Sequence, residues 1–229
     1  MTRSLWAIAV LLLVLALVLR LGYMAVTPSY KVVDDAQDYD LHARSIALGQ
    51  GFAHLGPGPT RRTAFRPPGY PYFLAGVYAL GGVQRADDAR RFRVGRVANM
   101  LVGTVVVALI GLLAAQVFNP RVALAALALA AVYVPLILIG GSLMSEPLFA
   151  ALLLGALTAA LQHRRSAHSY RWALVAGLFG GLTILTRANA AVLLAPLVVA
   201  VWDARPRWSW RALAPPGALV AVALLAVAP

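Results

Sequence analysis

The chain has 229 residues, of which 61% are hydrophobic and only 12% charged, with a formal net charge of +12 and no cysteine. Charged residues make up about a quarter of an ordinary soluble domain, so this composition, with its mean hydropathy of +0.78, excludes one. The missing cysteines exclude disulfides and thiolate metal sites without naming a compartment. Apolar runs recur along the whole length, several near the roughly 20 residues needed to cross a hydrocarbon core. They predict an all-α polytopic membrane protein.

The first run, Leu5 to Val26, follows a single basic residue, Arg3. It is long, and no Ala-x-Ala site closes it. It reads as a retained membrane helix with its N-terminus in the cytoplasm rather than as a cleaved signal.

The chain then enters "DDAQDYDLHARSIALGQGF", Asp34 to Phe52, which holds four of the eight acidic residues. Asp34 or Asp35 would cap a short helix over about residues 36–48, and Gly49 with Gly51 would stop it. Tyr39, Ala43, Ile46 and Ala47 recur at helical spacing and would form an apolar stripe on the membrane surface. Asp35, Asp38 and His42 fall at i, i+3 and i+7 on a neighbouring face. Asp40 lies off that face and reads as peripheral. Taken alone, the pattern also describes a capped amphipathic helix with solvated acids.

Next comes "RRTAFRPPGYPYF", Arg61 to Phe73. Arginine clamps phosphate bidentately, and aromatic rings favour the membrane interface. The stretch therefore suits an anionic headgroup over an aromatic floor, or equally a solvated loop with interfacial anchors. Residues 27–96 hold ten basic side chains against six aspartates. That excess favours an acidic partner such as a lipid phosphate. Nucleic acid is excluded as a partner if the loop faces away from the cytoplasm. "PPGYPYFLAGVYALGGV", Pro67 to Val83, is too rich in proline and glycine for a continuous span, and reads as a partly helical interfacial segment.

The later apolar runs are Val97–Phe118, Val122–Gly140, Pro147–Leu161, Trp172–Leu185, Ala188–Trp202 and Ala212–Ala228. If Pro67–Val83 does not span, Arg3, Arg121, Arg164, Arg165, Arg171, Arg205, Arg207 and Arg211 all fall on the cytoplasmic side, as the positive-inside rule requires. This predicts seven spans and one large external loop over about residues 27–96. It also places Glu146 on the same membrane face as Asp35. Glu146 is the sole acidic residue between Asp88 and Asp203 and opens a span, where a carboxylate is either functional or a helix-start residue favoured by the dipole. The chain stops where the seventh span would emerge, which reads as the N-terminal portion of a longer protein.

Five segments carry a resemblance, in this order: "DDAQDYDLHARSIALGQGF", "AFRPPGYPYFLAGVYALGG", "RVGRVANMLVGTVVVALIGLLAAQVF", "SLMSEPLFAALLL" and "LTILTRANAAVLLAPLVV". Together they resemble the polyprenyl-phosphate-dependent glycosyltransferases of the GT-C fold, in the group that holds the lipid A aminoarabinose transferases and the protein O-mannosyltransferases. The resemblance covers nearly all of this chain and the N-terminal half of such an enzyme.

It implies a GT-C-like transmembrane domain in the cytoplasmic membrane, with its active site facing the periplasm or exterior. It implies a polyprenyl-phosphate sugar donor as partner, and leaves the acceptor (lipid, glycan or protein) undefined. By the same resemblance Asp35, with Tyr39 at the family's spacing, is the first-loop catalytic base. Glu146 is the acidic residue of the second external loop. Arg66 stands before Pro-Pro to contact the lipid phosphate, and Arg96 and Arg187, which match basic positions at helix ends, would join it in binding the donor phosphate. Asp38, Tyr39, His42 and Tyr70 would line the site. No organic cofactor is implied. A divalent metal ion stays open, with Asp35 and Glu146 as its ligands, although Ala36 replaces the acid that many members place after the aspartate.

The function so implied is transfer of a sugar from lipid phosphate to an acceptor hydroxyl. A carboxylate would take the hydroxyl proton, and cations would stabilise the departing phosphate. Two other readings stand beside it, a transporter or flippase of a lipid-linked sugar and an inactive fragment. A transporter predicts ionisable or helix-breaking residues at mid-span, and only Arg20 and Pro135 answer that description.

Overall fold

The computed structural model describes residues 3–54, 61–62, 66–166, 169–202 and 209–228. Thr63, Ala64 and Phe65 of the arginine-aromatic stretch, and Arg205 and Arg207 of the charge pattern, lie outside the described residues.

Every apolar run becomes helical. Helix α1 (Arg3–Val26) is followed by two short helices, α2 (Asp34–Ala47) and α3 (Gly69–Leu80). Between these two, Ala53–His54 and Arg61–Arg62 form a two-residue antiparallel ladder. Then come α4 (Asp88–Val117), α5 (Pro120–Val132), α6 (Val134–Gly140), α7 (Glu146–Arg165) and α8 (Tyr170–Thr186). A 3-10 segment, Ala188–Leu193, leads into α9 (Leu194–Val201), and α10 (Trp210–Val227) follows. Local chemistry sets several starts. Asp87 accepts from the Arg90 N–H to cap α4, Asn119 caps α5 with Pro120 at its first position, and Ser209 caps α10.

Helices α1, α4 and α7 are each long and apolar enough to cross a membrane. The predicted single span Val122–Gly140 is in fact a broken pair, α5 and α6, bent by 57°. Pro135 explains the break, because proline has no N–H for the ladder and its ring crowds the preceding turn. The apolar helices Tyr170–Thr186, Ala188–Val201 and Ala212–Val227 are shorter. At 12 residues α3 extends about 18 Å, well short of a hydrocarbon core of about 30 Å, so it does not span.

Neighbouring helices run up and down. At one end of the bundle Arg96 of α4 reaches Thr27 and Gly141, Asn99 reaches Ser142 and Met144, and Arg187 after α8 reaches Glu146 at the start of α7. At the other end Gln116 of α4 meets Gln162 of α7, and Arg165 donates to the Gln116 carbonyl. Asp35 and Glu146 therefore share one end, as predicted. Arg164 and Arg165 share the other.

Glycine lets helices approach closely where a β-carbon would collide. At Gly181 it would stand 2.6 Å from the Ala223 carbonyl oxygen of α10, and Gly177 one turn earlier faces the Leu219 backbone in the same way. Arg20, flagged at mid-span, is fully buried in α1 and donates to the Ala16 carbonyl. Gly103 and Gly140 leave room for its guanidinium.

Candidate functional site

The site forms where α2 and α3 pack onto the end of the bundle. Tyr39 and Ala43 of α2 are buried in one apolar cluster with Tyr70, Leu74 and Tyr78 of α3, and Ile46 and Ala47 pack against it. The apolar stripe of α2 thus covers α3 and does not lie on a membrane surface, since α3 offers apolar area closer than any lipid. The capping expectation also needs correction. The N-cap of α2 is Val33, whose side chain makes no capping bond, and Asp34 takes φ 50°. That left-handed backbone is rare outside glycine, and aspartate is among the side chains that tolerate it. Gly49 and Gly51 have φ near +76° and +78° and end the helix as expected.

With that phase, the aspartates separate. Asp35 and Asp38 share one arginine. Arg66 donates from Nε to Asp38 Oδ2 at 3.1 Å, from Nη2 to the same oxygen at 2.9 Å, and from Nη2 to Asp35 Oδ1. The Asp35 side chain is 52% exposed and Asp38 27%. Burial works against the charge on Arg66, but its hydrogen bonds to Asp35 and Asp38 outweigh that and raise its pKa. It therefore stays a cation. Its guanidinium also lies over the Tyr39 ring at 5.2 Å.

Tyr39 bridges to the second half of the site. Its hydroxyl lies 3.3 Å from Ser145 Oγ, and its ring meets Tyr70 edge-on at 4.9 Å. Beside Ser145, Glu146 Oε1 accepts from Arg187 Nη2 at 2.6 Å. Glu146 Oε2 is buried and takes no hydrogen bond. Beneath them Asn99 donates to the Tyr70 hydroxyl at 2.9 Å and to the Ser142 and Met144 carbonyls. Burial pushes the Tyr70 hydroxyl well above its ordinary pKa, so it stays protonated. Gly69 closes the arrangement. A β-carbon there would lie 2.8 Å from the Leu185 carbonyl, so α3 begins directly against the end of α8, next to Arg187.

Three sequence-predicted residues behave differently. His42 is buried and turned inward, donating from Nδ1 to the Asp38 carbonyl at 2.7 Å, its ring tilted on Phe52. Arg96, three residues before Asn99 on α4, is spent on the backbone, where its guanidinium donates to the Gly141 carbonyl, the Thr27 carbonyl and Thr27 Oγ1 and sits over Tyr30 at 4.5 Å. Asp40 is not peripheral. It is 4% exposed and paired with Arg91, itself 2% exposed, through bonds of 2.9 and 2.8 Å, and it accepts from Tyr78 at 2.7 Å. Helical phase alone placed it off the Asp35–Asp38 face, and only the packing of α3 and α4 made that other face an interior.

The residues suggested for a divalent metal do not fit one. Asp35 and Glu146 each already hold a guanidinium, which would repel a dication, and no three histidine or carboxylate side chains among the described residues converge. Ser145 and Asn99 escaped the sequence reading. A lone asparagine within the apolar helix start "RVANMLVG" was the available signal.

Arg66, Tyr70, Arg96, Asn99, Glu146 and Arg187 all lie within residues 65–229, which match the family model described as dolichyl-phosphate-mannose-protein mannosyltransferase. The chain belongs to that family. Its members are membrane glycosyltransferases that draw on polyprenyl-phosphate-linked sugar. No curated protein matches the chain significantly. The matched region begins just before Arg66, so in this mannosyltransferase-family chain the α2 aspartates are joined to it by geometry, through Arg66 and Tyr39.

Proposed function

We propose that the chain transfers a sugar, hexosyl or pentosyl, from a polyprenyl-phosphate donor to an acceptor hydroxyl on the outer face of the cytoplasmic membrane. Asp35 is the general base and Arg66 the ligand of the donor phosphate. The observation that carries this reading is the sharing of one arginine by two carboxylates. At rest Arg66 holds Asp35 and Asp38. A donor phosphate competes for the same guanidinium, since charge-assisted bonds to phosphate and carboxylate have the same fork geometry. Drawing Arg66 toward the phosphate frees the half-exposed Asp35 carboxylate beside the sugar.

In the transfer itself the acceptor oxygen bonds to the sugar C1 and its proton passes to the Asp35 carboxylate. The bond from C1 to the phosphate oxygen breaks, and its electron pair leaves with polyprenyl phosphate, whose growing charge Arg66 neutralises. Glu146 is fixed beside the site by Arg187, which holds its Oε1. Tyr39 and Tyr70 form the floor.

The test is sugar transfer from a purified polyprenyl-phosphate donor at matched expression. Asp35→Asn keeps shape and removes the base, so turnover should fall by about 10²–10⁴-fold. Arg66→Ala should weaken donor use by on the order of 1.5–3 kcal/mol, and Arg66→Lys should recover only part of it. Normal turnover in Asp35→Asn would remove the base, and unchanged donor kinetics in Arg66→Ala would return that arginine to an interfacial anchor.

A further inference from the structure

A second cationic site lies away from the Asp35–Arg66 pair. Where α1 ends and α4 begins, a cavity of about 660 Å³ opens, with Tyr30, Lys31, Arg93 and Arg96 supplying its polar groups and Met24 and Phe92 part of its apolar wall. None of Asp35, Asp38, Arg66, Tyr39, Tyr70, Glu146 or Arg187 touches it. Lys31 and Arg93 are exposed, and neither has a partner among the described residues. Arg96 at the back is held by Thr27 and Gly141 under the Tyr30 ring, so its charge is fixed in place. The one carboxylate on the rim, Asp88, is engaged by Arg91.

Three cations thus face a cavity whose lone acid is committed elsewhere. Its position narrows the ligand further. The end of α1 and the start of α4 are same-side ends of two membrane-crossing helices, so the cavity sits at the bilayer–water boundary whichever compartment it faces. The last turns of α1 leading to it present Val18, Leu21 and Val26 outward, a surface along which an acyl chain can lie.

We propose that this cavity binds the phosphate headgroup of an anionic bulk phospholipid, separately from the sugar donor. The headgroup phosphate sits between Lys31 and Arg93 against the fixed charge of Arg96, and its glycerol backbone and first methylenes fill the space by Met24 and Phe92. Such a lipid would brace the α1–α4 junction, from which α2 is suspended.

The test is native mass spectrometry of the purified chain titrated with phosphatidylglycerol or with phosphatidylcholine of the same acyl chains. The wild type should retain one phosphatidylglycerol in preference to phosphatidylcholine. Lys31→Ala/Arg93→Ala should weaken that retention on the order of thirtyfold, from about 1 kcal/mol for each basic group near a membrane surface. Binding of phosphatidylcholine should not change, nor should Arg121→Ala/Arg164→Ala at the far end alter either lipid. Equal phosphatidylglycerol retention in the wild type and Lys31→Ala/Arg93→Ala would overturn the site. Displacement by millimolar inorganic phosphate would make it a free-phosphate site, and displacement by equimolar polyprenyl phosphate would make it the donor's. The readout is lipid retention, so it stands or falls apart from the activity of Asp35→Asn.

Discussion

Asp40 and Asp35 are five residues apart on one short helix and meet opposite fates. Asp40 is sealed between Tyr78 and Arg91, where its two oxygens take three hydrogen bonds. Burial together with the Asp40 charge raises the pKa of Tyr78. Removing one member of a buried pair leaves an uncompensated charge, so Asp40→Asn should destabilise the protein by on the order of 3 kcal/mol. Asp88→Asn, which loses a largely exposed contact to the same Arg91, should cost well under 1 kcal/mol. Thermal unfolding in detergent would compare the two, and a larger loss for Asp88→Asn would contradict the assignment of Asp40 as the anchor. Helical spacing in the sequence already set Asp40 off the Asp35–Asp38 face. It missed the burial because Arg91 is 51 residues away.

Helix α3 carries a control within itself. Gly69 abuts the backbone of Leu185 and Thr186, whereas a β-carbon at Gly76 would meet nothing within 4 Å. Gly69→Ala should therefore force α3 away from α8, costing about 1–3 kcal/mol as overpacking does, and it should lower transferase activity by spreading Arg66 from Arg187. Gly76→Ala should be neutral or stabilising by about 0.5–1 kcal/mol, since alanine is the better helix former. Circular-dichroism melts of both variants would settle the sign, and a harmless Gly69→Ala would show that the α3–α8 contact is loose. The proline-rich composition of Pro67–Val83 announced a short helix in advance. Which of its glycines mattered depended on α8, over a hundred residues later.

The whole bundle separates its charge by end. Arg164 and Arg165 close one end, and Glu146, Arg187 and the α2–α3 cap sit at the other. The proposed orientation, which follows the positive-inside rule, makes the first end cytoplasmic. Single cysteines at Arg85 and Ser142 should then react with an impermeant thiol reagent in cells with a permeabilised outer envelope, and one at Ser166 should react only after the inner membrane is breached. Labelling of Ser166 with protection of Arg85 would overturn the proposed orientation and, with it, the proposed outward-facing site. Few groups on the α1 surface are buried, with Trp6, Leu11, Val14 and Val18 all exposed. A bilayer is the solvent that such a surface requires.

Hydrophobicity accumulates along a chain residue by residue, and a span, an arginine-poor face and an interfacial aromatic stretch are local sums of it. The sequence by itself therefore determined the membrane class, the positions of the apolar segments, the stretch that holds Asp35 and Arg66, and the placing of Glu146 at the same end. Ion pairing and burial have no such local sum. Arg66 meets Asp38 across 28 residues and Arg187 meets Glu146 across 41. Nothing near either residue in the chain names its partner. Only the tertiary structure decided that one arginine serves two aspartates, that Arg96 is spent on Thr27 and Gly141, that the Tyr39 stripe faces α3 rather than lipid, and that the span through Pro135 bends. Each depended on which surface of one helix the next could cover.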